Sequence, residues 1–224
     1  MTHDPGIKAV IFDLDGTVID TFEHIVQAFE LVLPQFGVQK TREDIRAVIG
    51  KTLEECYREF LPEAVAHSAA ELHHETQQSP EMYELITVYE HLRQAVDTLH
   101  EQQCKVAVLT NRSRRSVDLI FAHTGLTDTF DAVVTADESD APKPDSAGVL
   151  MLAGLLDTGA HEMVMVGDTS IDVVTARRAG MAGSVGLTHG FGLRRELEAA
   201  GADYVIDSLA ELPSIVERMS NGED

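Results

Sequence analysis

Residues Lys8 to Thr21 read KAVIFDLDGTVIDT. An apolar run of strand length, Ala9-Val10-Ile11-Phe12, stops at two carboxylates separated by one residue, Asp13 and Asp15, and a glycine follows. Such a run reads as a buried strand that delivers acids to its own end. In a parallel sheet the ligand crevice lies beyond the carboxyl ends of the strands, so these acids point into a crevice rather than a core. Two like charges this close require a cation or a proton: a hard divalent metal supplies the first, a carboxyl with a raised pKa the second. Gly16 permits a turn that a side chain would obstruct. A solvated Asp-Gly turn at a strand end carries the same letters, so the motif needs support from the rest of the chain.

Outward from this stretch, apolar residues at Phe22, Ile25, Val26, Phe29, Val32, Leu33 and Phe36 mark one face of a helix that Pro34 and Gly37 end. Thr41 with Asp44 resembles a capping box opening a helix that Gly50 closes, and Thr52 caps a third helix running toward Phe60. Glu63 to Gln78 reads as a polar helix, and Ser79-Pro80 starts another. From Thr21 to about Glu84 the pattern is helical throughout. Strands then alternate with helices. Lys105–Leu109 ends in Thr110-Asn111, and a helix reaching Gly125 is followed by a strand at Ala132–Thr135. Met163–Val166 ends in Gly167-Asp168, and short strands fit at Ser184–Leu187 and Tyr204–Ile206 before a closing helix at Leu212–Met219. Alternation of this kind implies parallel pairing in a layered α/β sheet. The expected organisation is a Rossmann-like core over 1–20 and 85–224, interrupted by an all-helical cap over 21–84.

The chain of 224 residues, 44% hydrophobic, is long enough for a real interior. Its net charge of -21 argues against a nucleic-acid backbone or an anionic membrane surface as partner. Acid excess on this scale, with five Lys, fits either adaptation to high salt or an acidic, soluble surface, and the second is the preferred reading. Cys56 and Cys104 have neither metal-ligand nor redox spacing and read as reduced packing residues. No charged-then-apolar leader opens the sequence, and no apolar run approaches membrane-spanning length, so the expected location is the cytoplasm.

The polar strand ends fall at corresponding places: Asp13 and Asp15, then Thr110 and Asn111, then Lys143 in a later loop, then Asp168 and Asp172. In a parallel sheet all of them meet at one edge. Each type has a task in phosphoryl transfer. A carboxylate attacks phosphorus, a second carboxyl moves the proton, oxygen ligands hold magnesium, and lysine, hydroxyl and amide donors hold the remaining charge.

The set DLDGT, TN, KP and GDTSID resembles the four motifs of the haloacid dehalogenase superfamily of phosphohydrolases, in particular its phosphoglycolate-phosphatase-like branch with a helical cap after the first motif. That resemblance implies Asp13 as nucleophile and Asp15 as general acid and base, with Thr17 supporting their loop. Thr110 and Asn111 bind the phosphoryl group, and Lys143 neutralises its charge and that of the nucleophile. A magnesium ion is held by Asp13, Asp168 and the Asp15 backbone carbonyl, while Asp172 helps the metal site or orients Lys143. Asp15 separates phosphatases and phosphomutases from the dehalogenases, and it disfavours the phosphonate-cleaving members. Relatives often carry Pro-Gly at the return from cap to core. This chain has Thr87-Val88-Tyr89 there, which puts the hinge geometry in question.

On the cap, Arg46 and Lys51 flank Gly50, where relatives contact substrate; a helix end with solvated side chains is the other reading. The Gly50-Lys51-Thr52 triplet lacks the glycine-rich cradle of a nucleotide loop. His67, His73, His74, His91 and His100 read as titrating surface residues rather than metal ligands. Asn111-Arg112-Ser113 matches a glycosylation acceptor that has no use without a leader.

The expected activity is that of a magnesium-dependent phosphatase of a small phosphorylated metabolite, phosphoglycolate first, as a monomer or homodimer. Pyrophosphatase, nucleotidase and sugar phosphomutase are alternatives, and a phosphate-binding module without turnover is the rival of another class.

Overall fold

The computed structural model describes residues 6–222, so the extreme ends of the expected core lie outside the described residues. The chain opens with β1 (Ala9–Phe12) and the short β2 (Ile19–Asp20), then runs through five helices: α1 (Phe22–Val32), α2 (Arg42–Arg46), α3 (Leu53–Arg58), α4 (Glu63–Thr76) and α5 (Pro80–Tyr83). After the short β3 (Thr87–Val88) come α6 (Leu92–Glu101), β4 (Lys105–Leu109), α7 (Arg114–Thr124), β5 (Ala132–Val134), α8 (Ala147–Leu156), β6 (Met163–Gly167) and α9 (Ser170–Ala179). The last elements are β7 (Gly183–Leu187), α10 (Arg194–Ala200), β8 (Tyr204–Ile206) and α11 (Leu212–Asn221).

Six strands form one sheet in the order β5-β4-β1-β6-β7-β8, every neighbouring pair parallel. The chain builds outward from β1 through β4 to β5, then crosses back to add β6, β7 and β8 on the other side. Strand order therefore reverses at β1, and the crevice beyond its carboxyl end, between those of β4 and β6, is where an α/β sheet holds ligands. Asp13 stands there.

Alternation along β1 distributes its side chains to both faces of the sheet. Val10 and Phe12 pack with Val106, Val108, Val164 and Val166 against Leu92 and Leu99 of α6 and Leu212 and Val216 of α11. Ala9 and Ile11 pack with Ala107, Leu109 and Met165 against Val149, Leu152 and Leu156 of α8. All four β1 residues are fully buried, so the strand carrying the acids is held from both faces. Val10, Ile11 and Phe12 each contribute about 1.5–3 kcal/mol through burial.

Helices α1 to α4 gather a separate apolar cluster in which Phe29 meets Tyr57, and Val26, Val32, Ile45 and Ala66 close around them. Two capping boxes start α2 and α3: Thr41 accepts from the Asp44 amide while Asp44 accepts from that of Thr41, and Thr52 does the same with Glu55. Three details differ from the sequence reading. Helix α2 stops at Arg46, short of Gly50, because Val48 N–H bonds back to Ile45 and Gly50 takes a φ of 104°. Thr87 and Val88 pair antiparallel with Asp20 and Ile19, so entry to and exit from the helical segment are stitched into one two-stranded ribbon. Helix α10 escaped notice because, over seven residues, Leu197 is its one fully buried side chain among those described.

Among the described residues no helix is long and apolar enough to cross a membrane. Cys56 and Cys104 are free and buried, with thiols that burial pushes up to about 12.

His24 on α1 is buried and donates from Nδ1 to the Met82 carbonyl at 2.9 Å, docking α1 onto α5. Burial first, and then the charge of Arg112, lower its pKa from 6.5 to about 4. The unfolded chain thus takes up a proton that the folded chain refuses, and stability falls as pH drops from 6.5 toward about 4. This group's share is on the order of 3 kcal/mol. Urea unfolding at a series of pH values should show this decline, made shallower by His24→Asn; an unaltered slope would place the acid sensitivity elsewhere.

Candidate active site

The backbone amide of Asp13 still bonds to Val166, so Asp13 is fixed by the sheet ladder itself. Its Oδ1 accepts from the Leu14 amide at 2.6 Å and pairs with Lys143 Nζ at 2.7 Å. Oδ2 has no hydrogen-bonding partner among the described residues. The chain then turns tightly: Gly16 N–H donates to the Ile19 carbonyl and Val18 N–H to that of Leu14, with Gly16 at a φ of 79°. That conformation favours glycine, and a Cβ at this position would overlap Asp168 Oδ2.

Lys143 reaches the acids from the loop before α8 and is buried to 4% exposure. Its Nζ lies 2.7 Å from both Asp13 Oδ1 and Asp172 Oδ1. Asp172, in the first turn of α9, accepts through Oδ2 from the amide and hydroxyl of Thr169. Asp168, fully buried at the end of β6, accepts from Thr17 Oγ1 at 3.0 Å and from the Phe191 amide at 2.6 Å. Ligand oxygens of Asp13, Asp168 and Asp172 all lie within 4.8 Å of one another.

Burial and the neighbouring acids push Asp168 well above the carboxylate range. Burial is also the main cause that raises Asp13 to about 7, against the pull of Lys143. Lys143 itself loses to burial less than it gains from Asp13 and Asp172, so it stays charged. One ammonium among three carboxylates leaves the pocket short of positive charge. Hard oxygen donors with a charge deficit suit a magnesium ion, so the residues present fit the group the sequence implied.

The Asp15 carboxylate stands apart from this cluster. Its Oδ1 accepts from Thr21 Oγ1 at 2.6 Å, and Arg112 Nε approaches Oδ1 and Oδ2 at 2.9 and 2.7 Å. Burial alone would raise its pKa, but the guanidinium and the Thr21 hydroxyl hold it below the ordinary value. Any share of Asp15 in holding a cation therefore falls to its backbone carbonyl. Arg112 was missed by sequence reasoning, which treated it only as the middle of an acceptor triplet. The signal available was its place directly after Thr110 and Asn111, at a strand end facing the crevice.

Other expected residues take more varied positions. The buried Thr110 hydroxyl accepts from the Arg112 amide, which leaves its own proton to donate. Asn111 braces the Lys143 backbone at both its amide and its carbonyl, and reaches across to the Gly50 carbonyl at 2.9 Å. Lys51 lines the central cavity but is paired with Glu59 at 2.7 Å. Arg46 departs from the substrate contact expected of it. Its guanidinium lies over the Phe22 ring and donates to the Phe191 and Gly190 carbonyls, at 2.6 and 3.2 Å, outside that cavity. The physical reason is local: with the Phe191 amide turned onto Asp168, the carbonyls of that loop face α2 and need a donor. His73 also departs from the surface reading, since its ring is buried in the helical cluster and bonded to the Tyr57 hydroxyl at 2.9 Å.

A cavity of about 260 Å³ lies between the two parts of the chain. Asp13, Asp15, Thr110, Asn111 and Arg112 line it from the sheet side, and Phe29, Leu53, His74 and Gln77 from the helical side.

Comparison with known proteins places this geometry. Residues 10–184 match the pattern of a family described as haloacid dehalogenase-like hydrolase. A protein of Bacillus mycoides (strain KBAB4), named pyrophosphatase PpaX, is 31% identical over 230 residues, covering 96% of this chain and 99% of its own. The crystal structure of a predicted phosphatase from Clostridium acetobutylicum superposes with a TM-score of 0.85 at 25% identity, over 95% of this chain and 99% of that one. A predicted phosphoglycolate phosphatase from Haemophilus somnus shares the fold at a TM-score of 0.78 and 20% identity, over 93% and 97%.

Gly16→Ala should cost more stability than Gly37→Ala. Both residues have positive φ, but a Cβ at Gly37 meets nothing within 4 Å. Chemical denaturation should give a loss of about 1 kcal/mol for Gly37→Ala, the backbone cost alone, and at least about twice that for Gly16→Ala. Equal losses would mean that the Gly16 approach to Asp168 imposes no constraint.

Proposed function

Because the chain belongs to the haloacid dehalogenase-like hydrolase family, we propose that it is a magnesium-dependent phosphatase of a small phosphorylated metabolite, working through an aspartyl-phosphate on Asp13. The observation that carries this reading is the buried contact of Lys143 with Asp13 Oδ1, which leaves Asp13 Oδ2 free at the mouth of the parallel sheet.

In this reading Asp13 Oδ2 forms a bond to phosphorus while the bond from phosphorus to the leaving oxygen breaks, and Asp15, which takes up a proton from solvent once it leaves Arg112, passes that proton to the leaving oxygen. Water then attacks phosphorus, Asp15 takes the water's proton, and free phosphate leaves with Asp13 regenerated. Lys143, Thr110 and the backbone amide of Asn111, whose side chain is spent on Lys143 and Gly50, hold the phosphoryl oxygens, while the helical segment walls the cavity and limits bulk water. A magnesium ion held by Asp13, Asp168 and the Asp15 carbonyl would supply positive charge to the same oxygens. Asp172 holds Lys143 in line. A module that only bound phosphate would have no need of Asp15. The buried free thiols accord with the reducing cytoplasm expected from the sequence.

Phosphoglycolate is the substrate favoured by the sequence reading. A second reading, inorganic pyrophosphate, is favoured by the 31% identity to a protein named pyrophosphatase over nearly the whole chain. A phosphate-release screen across phosphoglycolate, pyrophosphate, nucleoside monophosphates and sugar phosphates should separate them. Isomerised product without free phosphate would instead mark a phosphomutase.

Asp13→Asn should lower phosphate release on the order of a thousandfold or more while circular dichroism shows the fold intact; normal turnover would remove the proposed nucleophile. Chelation of divalent metal should stop hydrolysis and added magnesium restore it, whereas full activity without metal would contradict the role given to Asp168.

A further inference from the structure

Arg112 is not placed as a structural cation usually is. Its Nε alone serves both oxygens of Asp15, and Nη1 donates to Ser116 Oγ at 3.0 Å. A guanidinium normally grips a carboxylate with two parallel N–H groups. Here that fork is not spent on Asp15, and Nη2 has no partner among the described residues. The side chain is 10% exposed, and the residue lines the same cavity as Asp13 and Thr110.

Arg112 is also the cation best placed to meet a second negative group. Lys51, the other Lys or Arg lining the cavity among the described residues, is drawn off by Glu59. Lys143 is enclosed by Asp13 and Asp172. In a chain of net charge -21, an anionic group remote from the scissile phosphate gains nothing from the overall field and depends on a local donor. The far wall offers such a group the apolar Phe29, Leu53 and Ala70 and the like charges of Glu54 and Glu71. Of its histidines, His67 faces those two acids, His73 is bonded to Tyr57, and burial and Arg112 hold His74 below the ordinary imidazole range.

The arrangement around Asp15 adds a second consequence. A carboxylate gripped by Arg112 and bonded to the Thr21 hydroxyl points its oxygens at those donors, not at a leaving group. Asp15 reaches a scissile oxygen only when it leaves Arg112 Nε, and an oxyanion that grips the guanidinium side-on, through Nε and the unpartnered Nη2, takes its place there.

Resting on the phosphatase reading above, we infer that Arg112 is the specificity-determining residue: it binds a second oxyanion, a carboxylate or a phosphate, carried by the leaving group, and this exchange frees the Asp15 side chain to turn toward the scissile oxygen. The substrate then supplies the group that arms the acid. A phosphoester with a neutral leaving group of the same size leaves Asp15 on Arg112 and reacts slowly.

The test compares phosphoglycolate, pyrophosphate and ethyl phosphate, the last having a methyl where phosphoglycolate has its carboxylate. For the intact protein, kcat/KM for at least one anionic substrate should exceed that for ethyl phosphate by at least about tenfold. In Arg112→Met this ratio should collapse by about tenfold or more, and the anionic substrate whose ratio falls further is the one the guanidinium is placed to hold. Arg112→Lys, which keeps the charge and loses the fork, should give an intermediate ratio. An unchanged ratio in a folded Arg112→Met protein, with all substrates losing equally, would overturn the inference. If that variant does not fold, absence of any preference in the intact protein overturns it as well. Failure of the intact protein to release phosphate from any of the compounds would mark failure of the phosphatase reading itself, a separate result.

Discussion

Lys143 sits in a place that water cannot rescue. Its ammonium group is 2.7 Å from two carboxylates and almost wholly buried. A lone charge there would be prohibitively costly, and breaking a buried pair by removing one partner typically costs about 3–5 kcal/mol. The surrounding structure answers this demand piece by piece. Asp13 is held by the β1 ladder, Asp172 by Thr169 at the start of α9, and the Lys143 backbone by Asn111 at the end of β4. The end of β1, the start of α9 and the end of β4 are thereby tied to one lysine. The same contacts that satisfy Lys143 also leave the Asp13 Oδ2 atom without a protein partner, so packing and reactivity are set by one arrangement.

The acids outnumber their cation, and that imbalance gives the site its chemistry. Asp168 is fully enclosed, with Thr17 and the Phe191 amide on its two oxygens. The Phe191 loop is in turn held by Arg46 from the helical segment. A connection thus runs from α2 through a backbone carbonyl and amide to an acid of the Asp13, Asp168 and Asp172 cluster. Asn111 makes a second one, joining the Lys143 loop to Gly50. The helical segment is therefore more than a lid over the cavity, because two of the loops that shape the acid cluster are hydrogen-bonded to it.

Much of this was legible in the sequence, and the division is physical. Strand β4 runs from Lys105 to Leu109 as its β-branched run implied, and Gly125 and Gly180 end helices in left-handed conformation. Such features depend on local periodicity and on the allowed φ of glycine. The meeting of Asp13, Lys143, Asp168 and Asp172 followed from one topological rule, that parallel strands share an edge. The Arg112 contact with Asp15 spans 97 positions, and the Arg46 contact with Phe191 spans 145. No periodicity encodes either, since each depends on how a loop turns after its strand ends. His73 shows the opposite limit. Placed in the polar helix α4, it is buried because Tyr57 offers its ring a hydroxyl.

The central claim is that Asp13 becomes covalently phosphorylated, and the most direct test is chemical trapping during turnover. Borohydride reduces an acyl phosphate to an alcohol but leaves a free carboxylate intact. Protein quenched while hydrolysing its best substrate, then reduced and analysed by peptide mass spectrometry, should show homoserine at position 13 and unaltered aspartate at positions 15, 168 and 172. Reduction at another of these positions, or at none while phosphate is being released, would contradict the account.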